Sequence, residues 1–242
     1  MTGTVGVILL ANLHDNARAR AFAHLAFGRF VLSRTPGLRF CKVLGSGRNA
    51  GFLPTPSWTH QGLFCAFDDD ASADAFLAGP SILLTSIRGH ACELFTAKLR
   101  AYASRGLWSG VAPLQITKGP PTGPIASLTR ASIKPGKARA FWKHAPPSEI
   151  SLHAAEGCLL AAGIGELPLL RQATFTIWET ETAMERYARS GAHLAAIRDA
   201  HANGYFTESL FARFIPYAMT GCWAGRSWNG ALQPLAETKP WL

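Results

Sequence analysis

The chain has 242 residues, 48% hydrophobic and only 16% charged, enough to bury a full core and too apolar for a disordered protein. The formal net charge is +9, but the Lys and Arg residues are dispersed and no nucleic-acid motif accompanies them, so nucleic acid is excluded as a partner. No apolar run reaches the roughly 18–20 residues of a membrane helix, and the five cysteines lack zinc or disulfide spacing. A cytoplasmic protein with reduced thiols is expected, its basic surface suited at most to peripheral contact with a membrane.

In chain order, "TVGVILLANL" reads as a first strand and "NARARAFAHLAFGRFVLS" as a helix with Asn16 as its cap. "LRFCKVLGSG" and "SWTHQGLFCAFDD" read as strands. "ASADAFLAGPSILLTSIRG" reads as a helix interrupted near Gly79-Pro80, with the acidic "FDDD" at its N-terminus, and "ACELFTAKLRAYA" as the closing strand. The Pro- and Gly-rich "APLQITKGPPTGP" links this to a second series. There "PIASLTRASIKP" is a strand, "GKARAFWKHA" a helix that Pro146-Pro147 interrupt, and "CLLAAGIGE" and "RQATFTIWE" are strands. "TETAMERYARSGAHLAAIRDAHANG" is the last helix and "YFTESLFARFIPY" the last strand.

The two series are related. "ELFTAKLRAYASRGLWSG" (93–110) and "ESLFARFIPYAMTGCWAG" (208–225) align without gaps, sharing Glu93/Glu208, Tyr102/Tyr217, Gly106/Gly221, Trp108/Trp223 and Gly110/Gly225 among seven identities. From Trp108 to Trp223 the displacement is 115 residues, whereas from Phe67 to Trp178 it is 111. Four extra residues, about one helical turn, therefore lie between Tyr187 and Glu208. The expected fold is α+β: tandem ferredoxin-like repeats, β-α-β-β-α-β twice, packed face to face or closed edge to edge as a barrel of the dimeric α+β type. The expected units are 1–112 and 123–230, with a tail at 231–242.

Eight histidines are present. On one unbroken last helix, Ala183, Tyr187, Ser190, Leu194 and His201 share a face, which selects His201 as the inward one. If a new helix starts near Gly191, His193 turns inward with Ile197 and Ala200 instead. Strand alternation places Gln172, Thr174, Thr176 and Trp178 on one face. Gly45, Ser46 and Gly47 precede a Pro-rich loop rather than a helix, which excludes a phosphate cradle and suggests a loop over a pocket. Trp108 and Trp223 are read as packing residues that plug the ends of the sheets.

The segments "TPGLRFCKVLGSGRNAGF", "RGLWSG", "LTRASIKPGKARAFW", "GIGELPLLRQATFTIW", "AHLAAIR" and "GYFTESLFARF" together resemble the spheroidene monooxygenase family of carotenoid ketolases, from about Arg34 to Gly225. The chain departs from that pattern at Cys41, at Leu160 and Ala161, and in a longer tail. The resemblance implies a dimeric α+β barrel, haem b and its iron, and O2- or peroxide-dependent oxidation of a small apolar substrate such as an acyclic carotenoid. It selects His193 as the haem ligand, against the choice of His201 by simple periodicity. With a haem on His193, the residues expected around it are Ile197 by helix phase, Trp178 by strand alternation and Arg198, near His193, toward a propionate; Arg130, Gln172 and Arg213 are the candidates facing the oxygen site. Other haem chemistry on the same fold, such as aldoxime dehydration or nitrogen–oxygen bond chemistry, and non-enzymatic haem binding are the alternatives. A homodimer and a monomer are both open.

Overall fold

The computed structural model describes residues 3–51, 55–117 and 122–230. The chain forms β1 (Val5–Leu13), α1 (Arg18–Leu32), β2 (Leu38–Gly47), β3 (Pro56–Phe67), α2 (Asp70–Ala78), α3 (Ile82–His90) and β4 (Ala91–Gly106). It continues with β5 (Ile125–Ile133), α4 (Ala138–Trp142), α5 (Ala145–His153), β6 (Cys158–Leu167), β7 (Arg171–Trp178), α6 (Glu181–Ala188), α7 (Gly191–Ala202), β8 (Phe206–Trp223) and β9 (Arg226–Gly230).

Eight of the strands form an antiparallel barrel in the order β4-β1-β3-β2-β6-β7-β5-β8, which a β4–β8 pairing closes. The fold is therefore α+β, and its four-stranded halves join edge to edge. The two seams differ. β4 and β8 pair along most of their length, from Phe95↔Gly221 to Gly106↔Leu210, whereas β2 and β6 share only Gly45↔Gly165 and Ser46↔Ile164. β9, not anticipated from the sequence, adds a ninth strand along the end of β8. Residues 231–242, the expected tail, lie outside the described residues.

Alternation along each strand divides the side chains between two compartments. Ile8, Leu10, Phe64, Phe95, Leu128, Phe175 and Phe214 point into the barrel with Trp108 and Trp223. The opposite faces meet the helices. Over most of the first half that space is filled: Val7, Leu9, Leu63, Cys65 and Phe67 pack against Ala21, Leu32, Phe76, Leu83, Leu84 and Ile87.

Local chemistry fixes several helix ends. Asp69 caps α2 by accepting the Ser72 N–H at 2.8 Å, and Thr180 caps α6 by accepting the Ala183 N–H at 3.1 Å. Asn16 does not cap α1: it lies in a short 3-10 turn whose end, Ala17, leads into the helix without a side-chain cap. Pro146 and Pro147 sit in the first turn of α5, where a missing N–H costs nothing, so they start a helix rather than end one. The single last helix expected from the sequence is two helices. Tyr187, Arg189 and Ser190 close α6, and Gly191 with φ +54° begins α7, which at 12 residues outruns the 9 of α3.

Candidate functional site

Over the second half the space between sheet and helices is not filled. A cavity of about 600 Å³ lies between the outer face of β5, β7 and β8 and helices α4 to α7. Its size falls in the range of small-molecule and cofactor sites. Comparing equivalent strand positions shows its origin. Val7 and Leu9 of β1 correspond to Ser127 and Thr129 of β5, and Leu63 and Cys65 of β3 to Thr174 and Thr176 of β7. Polar residues, three of them smaller, replace core-filling ones, and all four replacements line the cavity.

The helix wall carries His193, Ala196, Ile197 and Ala200, because the break at Gly191 resets the helical phase. His193 stacks on Tyr187 with ring centroids 4.7 Å apart and planes 25° apart. Neither ring nitrogen has a hydrogen-bond partner among the described residues. Burial pushes the imidazole below its usual pKa, so it is neutral at neutral pH, the form that ligates metals. His201 also borders the cavity but is solvent-exposed, the reverse of what an unbroken helix predicts.

The strand wall carries Gln172, Thr174, Thr176 and Trp178, the four residues that alternation grouped. Thr176 accepts the Trp178 indole N–H at 2.8 Å. Phe141, Trp142, Leu152, Met184, Phe206 and Phe211 add apolar surface. Ser148, on α5, also borders the cavity, and its buried hydroxyl has no hydrogen-bond partner among the described residues.

The sequence-selected arginines separate. Arg213 reaches the cavity edge, where it pairs with Glu181 at 2.7 Å and Glu185 at 3.3 Å. Burial works against its charge, and the two carboxylates outweigh that and hold the guanidinium charged. Arg130 does not face the cavity. Its position on β5 has the parity of Ala126 and Leu128, which turns it into the barrel, 2% exposed. There it pairs with Glu166 at 3.0 Å and with Glu208, and lies over the Trp108 ring. Arg198 is exposed on α7 and does not line the cavity.

Sequence reasoning missed three cavity residues. Arg105, at the end of β4, borders the cavity and has no ion pair among the described residues; its strand belongs to the other half, so no pattern in the second half pointed to it. His144 borders the cavity and meets Asp199 at 2.8 Å, tying the start of α5 to α7; Tyr205 donates to the same carboxylate. Tyr187 was placed on the inward helix face but not as the ring on which His193 stacks.

A second cavity of about 290 Å³ lies under α1 at the β2–β6 seam. Gly45, Ser46 and Gly47 line this space, not the larger one, so the glycine-rich stretch is not a lid over the His193 cavity. Gln172 lines both cavities.

No protein-family model matches the chain. A spheroidene monooxygenase from Rubrivivax gelatinosus is 46% identical over 94% of this chain and 88% of its own length. One from Rhodobacter capsulatus is 36% identical over 84% of this chain and 86% of its own. Among solved structures, an aldoxime dehydratase in complex with butyraldoxime matches 89% of this chain and 79% of its own, with TM-score 0.55 and 10% identity, a likeness of fold alone. With relatives at that level of identity along nearly its whole length, the chain belongs to the spheroidene monooxygenase family.

Proposed function

We propose that this chain is a haem-dependent monooxygenase that oxidises a long apolar substrate, an acyclic carotenoid, with dioxygen. The names of its relatives support oxidation of that substrate class. The observation that carries the cofactor is His193: a neutral, hydrogen-bond-free imidazole on an apolar wall, facing a polar strand wall across about 600 Å³.

The residues present fit haem b. His193 would hold the iron, the one protein ligand such a group needs. Ile197 and Trp178 would pack against the ring, and the unpaired Arg105 and the partly engaged Arg213 are the cations available to propionates. A bound haem would supply the activation of oxygen. The chain's own contribution is placement and polarity. The side chains of Ser127, Thr129, Gln172 and Thr174 have no hydrogen-bond partners among the described residues, which leaves their hydroxyl and amide groups free to orient polar atoms of the reactants. The aromatic lining excludes water and matches an apolar chain.

The test is a visible spectrum of the purified protein reconstituted with haem. A Soret band in the wild type, lost or shifted in His193→Ala and kept in His201→Ala, is expected. A reconstituted wild type without a Soret band overturns the reading.

We further infer that the chain is a duplicated ferredoxin-like unit. Each half has the order β-α-β-β-α-β, each unit's second helix being split in two, as is the first helix of the second half. Their spatial orders correspond as well: β4-β1-β3-β2 in one and β8-β5-β7-β6 in the other.

A further inference from the structure

The outward face of α1 has the composition of a core. At helical spacing it presents Ala19, Phe22, Ala23, Ala26, Phe27 and Phe30, while the opposite face, Ala21, His24, Gly28 and Leu32, is the one buried in the protein. Phe22 is 64% exposed, Phe27 63% and Phe30 58%. Trp58, at the start of β3, is 61% exposed and lines the smaller cavity together with Phe22 and Leu25. Arg20, Arg29 and Arg34 flank the apolar face and have no ion pairs among the described residues.

That arrangement fits an anionic lipid surface. A second copy of the chain docked on the same face about a twofold axis would set these unpaired arginines against themselves. The cavity beneath adds an independent observation. Gln61, 2% exposed, lines it and donates its amide N–H to His24 Nδ1 at 3.1 Å, but its Oε1 is buried with no hydrogen-bond partner among the described residues. An apolar mouth over an unsatisfied amide calls for a long apolar ligand carrying a hydroxyl. The space itself comes from missing side chains: Gly45 and Gly165 are paired across the seam and both line the cavity.

We propose that α1 docks the protein on an anionic lipid surface, and that the cavity beneath it takes up a hydroxyl-bearing apolar chain from that surface and passes it along Gln172 to the larger cavity. The choice of ligand rests on the apolar-substrate reading above; the docking does not.

The experiment uses the full chain, vesicles of phosphatidylcholine with one quarter phosphatidylglycerol, and all-trans-retinol as the probe, its binding in solution followed by quenching of tryptophan fluorescence. Phe27→Ser/Phe30→Ser, which touches neither cavity, is expected to weaken vesicle co-sedimentation at least tenfold, the loss expected from about 1.4 kcal/mol of apolar burial. It should leave retinol affinity unchanged. Gly45→Val, tolerable in a strand, should do the opposite: vesicle binding as wild type and retinol affinity down about tenfold. Gln61→Leu should lose the hydroxyl's share of that affinity by a similar factor. A wild type that ignores the vesicles, or a double variant that binds them equally, overturns the docking. Conversion of a wild-type dimer into a monomer by the double variant would instead assign the face to self-association. Retinol bound equally by wild type, Gly45→Val and Gln61→Leu overturns the uptake site while leaving the Soret result and its reading intact. A wild type that binds no retinol overturns the uptake site, and the Soret test decides the proposed function separately.

Discussion

Arg130 is the residue at which chemistry and architecture are easiest to confuse. A buried arginine on a strand of the functional half invites a catalytic role, yet its charge is spent on Glu166 and Glu208 inside the barrel. Burial alone would raise the Glu166 carboxyl, but bonds from Trp108 and Lys42 and the charges of Lys42 and Arg130 hold it below the usual range. Arg130→Met would leave two carboxylates facing each other in a largely enclosed site, at a cost of roughly 3–5 kcal/mol. Urea denaturation should show that loss while the reconstituted Soret band keeps its position; a displaced band with unchanged stability would return Arg130 to the oxygen site. Two glycines are equally exacting. Gly106 and Gly221 have φ +95° and +94°, and a Cβ on them would run into the Ser209 and Leu94 carbonyl oxygens. Either change to Ala should cost at least about 2 kcal/mol by thermal or urea unfolding, whereas Gly110→Ala, at φ +77° but in open space, should cost about 1 kcal/mol.

At the scale of elements, the difference between the halves lies in which helices reach the sheet. The first half covers its strands with the continuous 15-residue α1 and α3; the second breaks its first helix into α4 and α5 and lengthens its last. Polar residues on β5 and β7 then face space rather than a partner helix. Restoring the first half's side chains should undo this. Thr129→Leu with Thr174→Leu is expected to raise stability by about 1–2 kcal/mol, since no protein hydrogen bond is given up and apolar area is buried. The same double variant should lose haem retention in the reconstitution assay; unchanged retention would place the cofactor elsewhere. Much of this was legible beforehand. Alternation grouped Gln172, Thr174, Thr176 and Trp178, and the displaced repeat placed an extra turn near His193. Periodicity misplaced His201 because it assumed one helix, and the inward turn of Arg130 was invisible because no pattern marked which face of β5 meets the barrel core. Arg105 was out of reach because it crosses to the site from the other half's β4, a contact that only barrel closure creates.

For the whole molecule, acid is the informative perturbation. Burial lowers the pKa values of His24, His60 and His193 below their ordinary value. As pH falls below about 6.5, the unfolded chain takes up protons at these sites before the folded protein does, so stability declines. The depressed carboxyls of Glu166 and Glu208 extend that decline, their contribution being lost as pH falls through their folded values. Melting temperature should therefore hold between pH 8 and 7 and drop steadily from pH 6.5 downward; a flat profile to pH 5 would contradict the neutral state of the three histidines. The β4–β8 seam bears on how the chain reaches its fold at all. Glu208 accepts the Ser109 and Gly110 N–H groups at 2.9 and 2.7 Å, and Glu93 accepts the Gly225 N–H at 3.0 Å, so each half locks a turn of the other. The residues so paired lie more than a hundred positions apart in the chain, a span whose loop closure must be paid before its contacts reward it. On a ribosome, β4 must wait with an unpaired edge until β8 emerges, and the interval between those two moments is when the nascent chain is most exposed to aggregation.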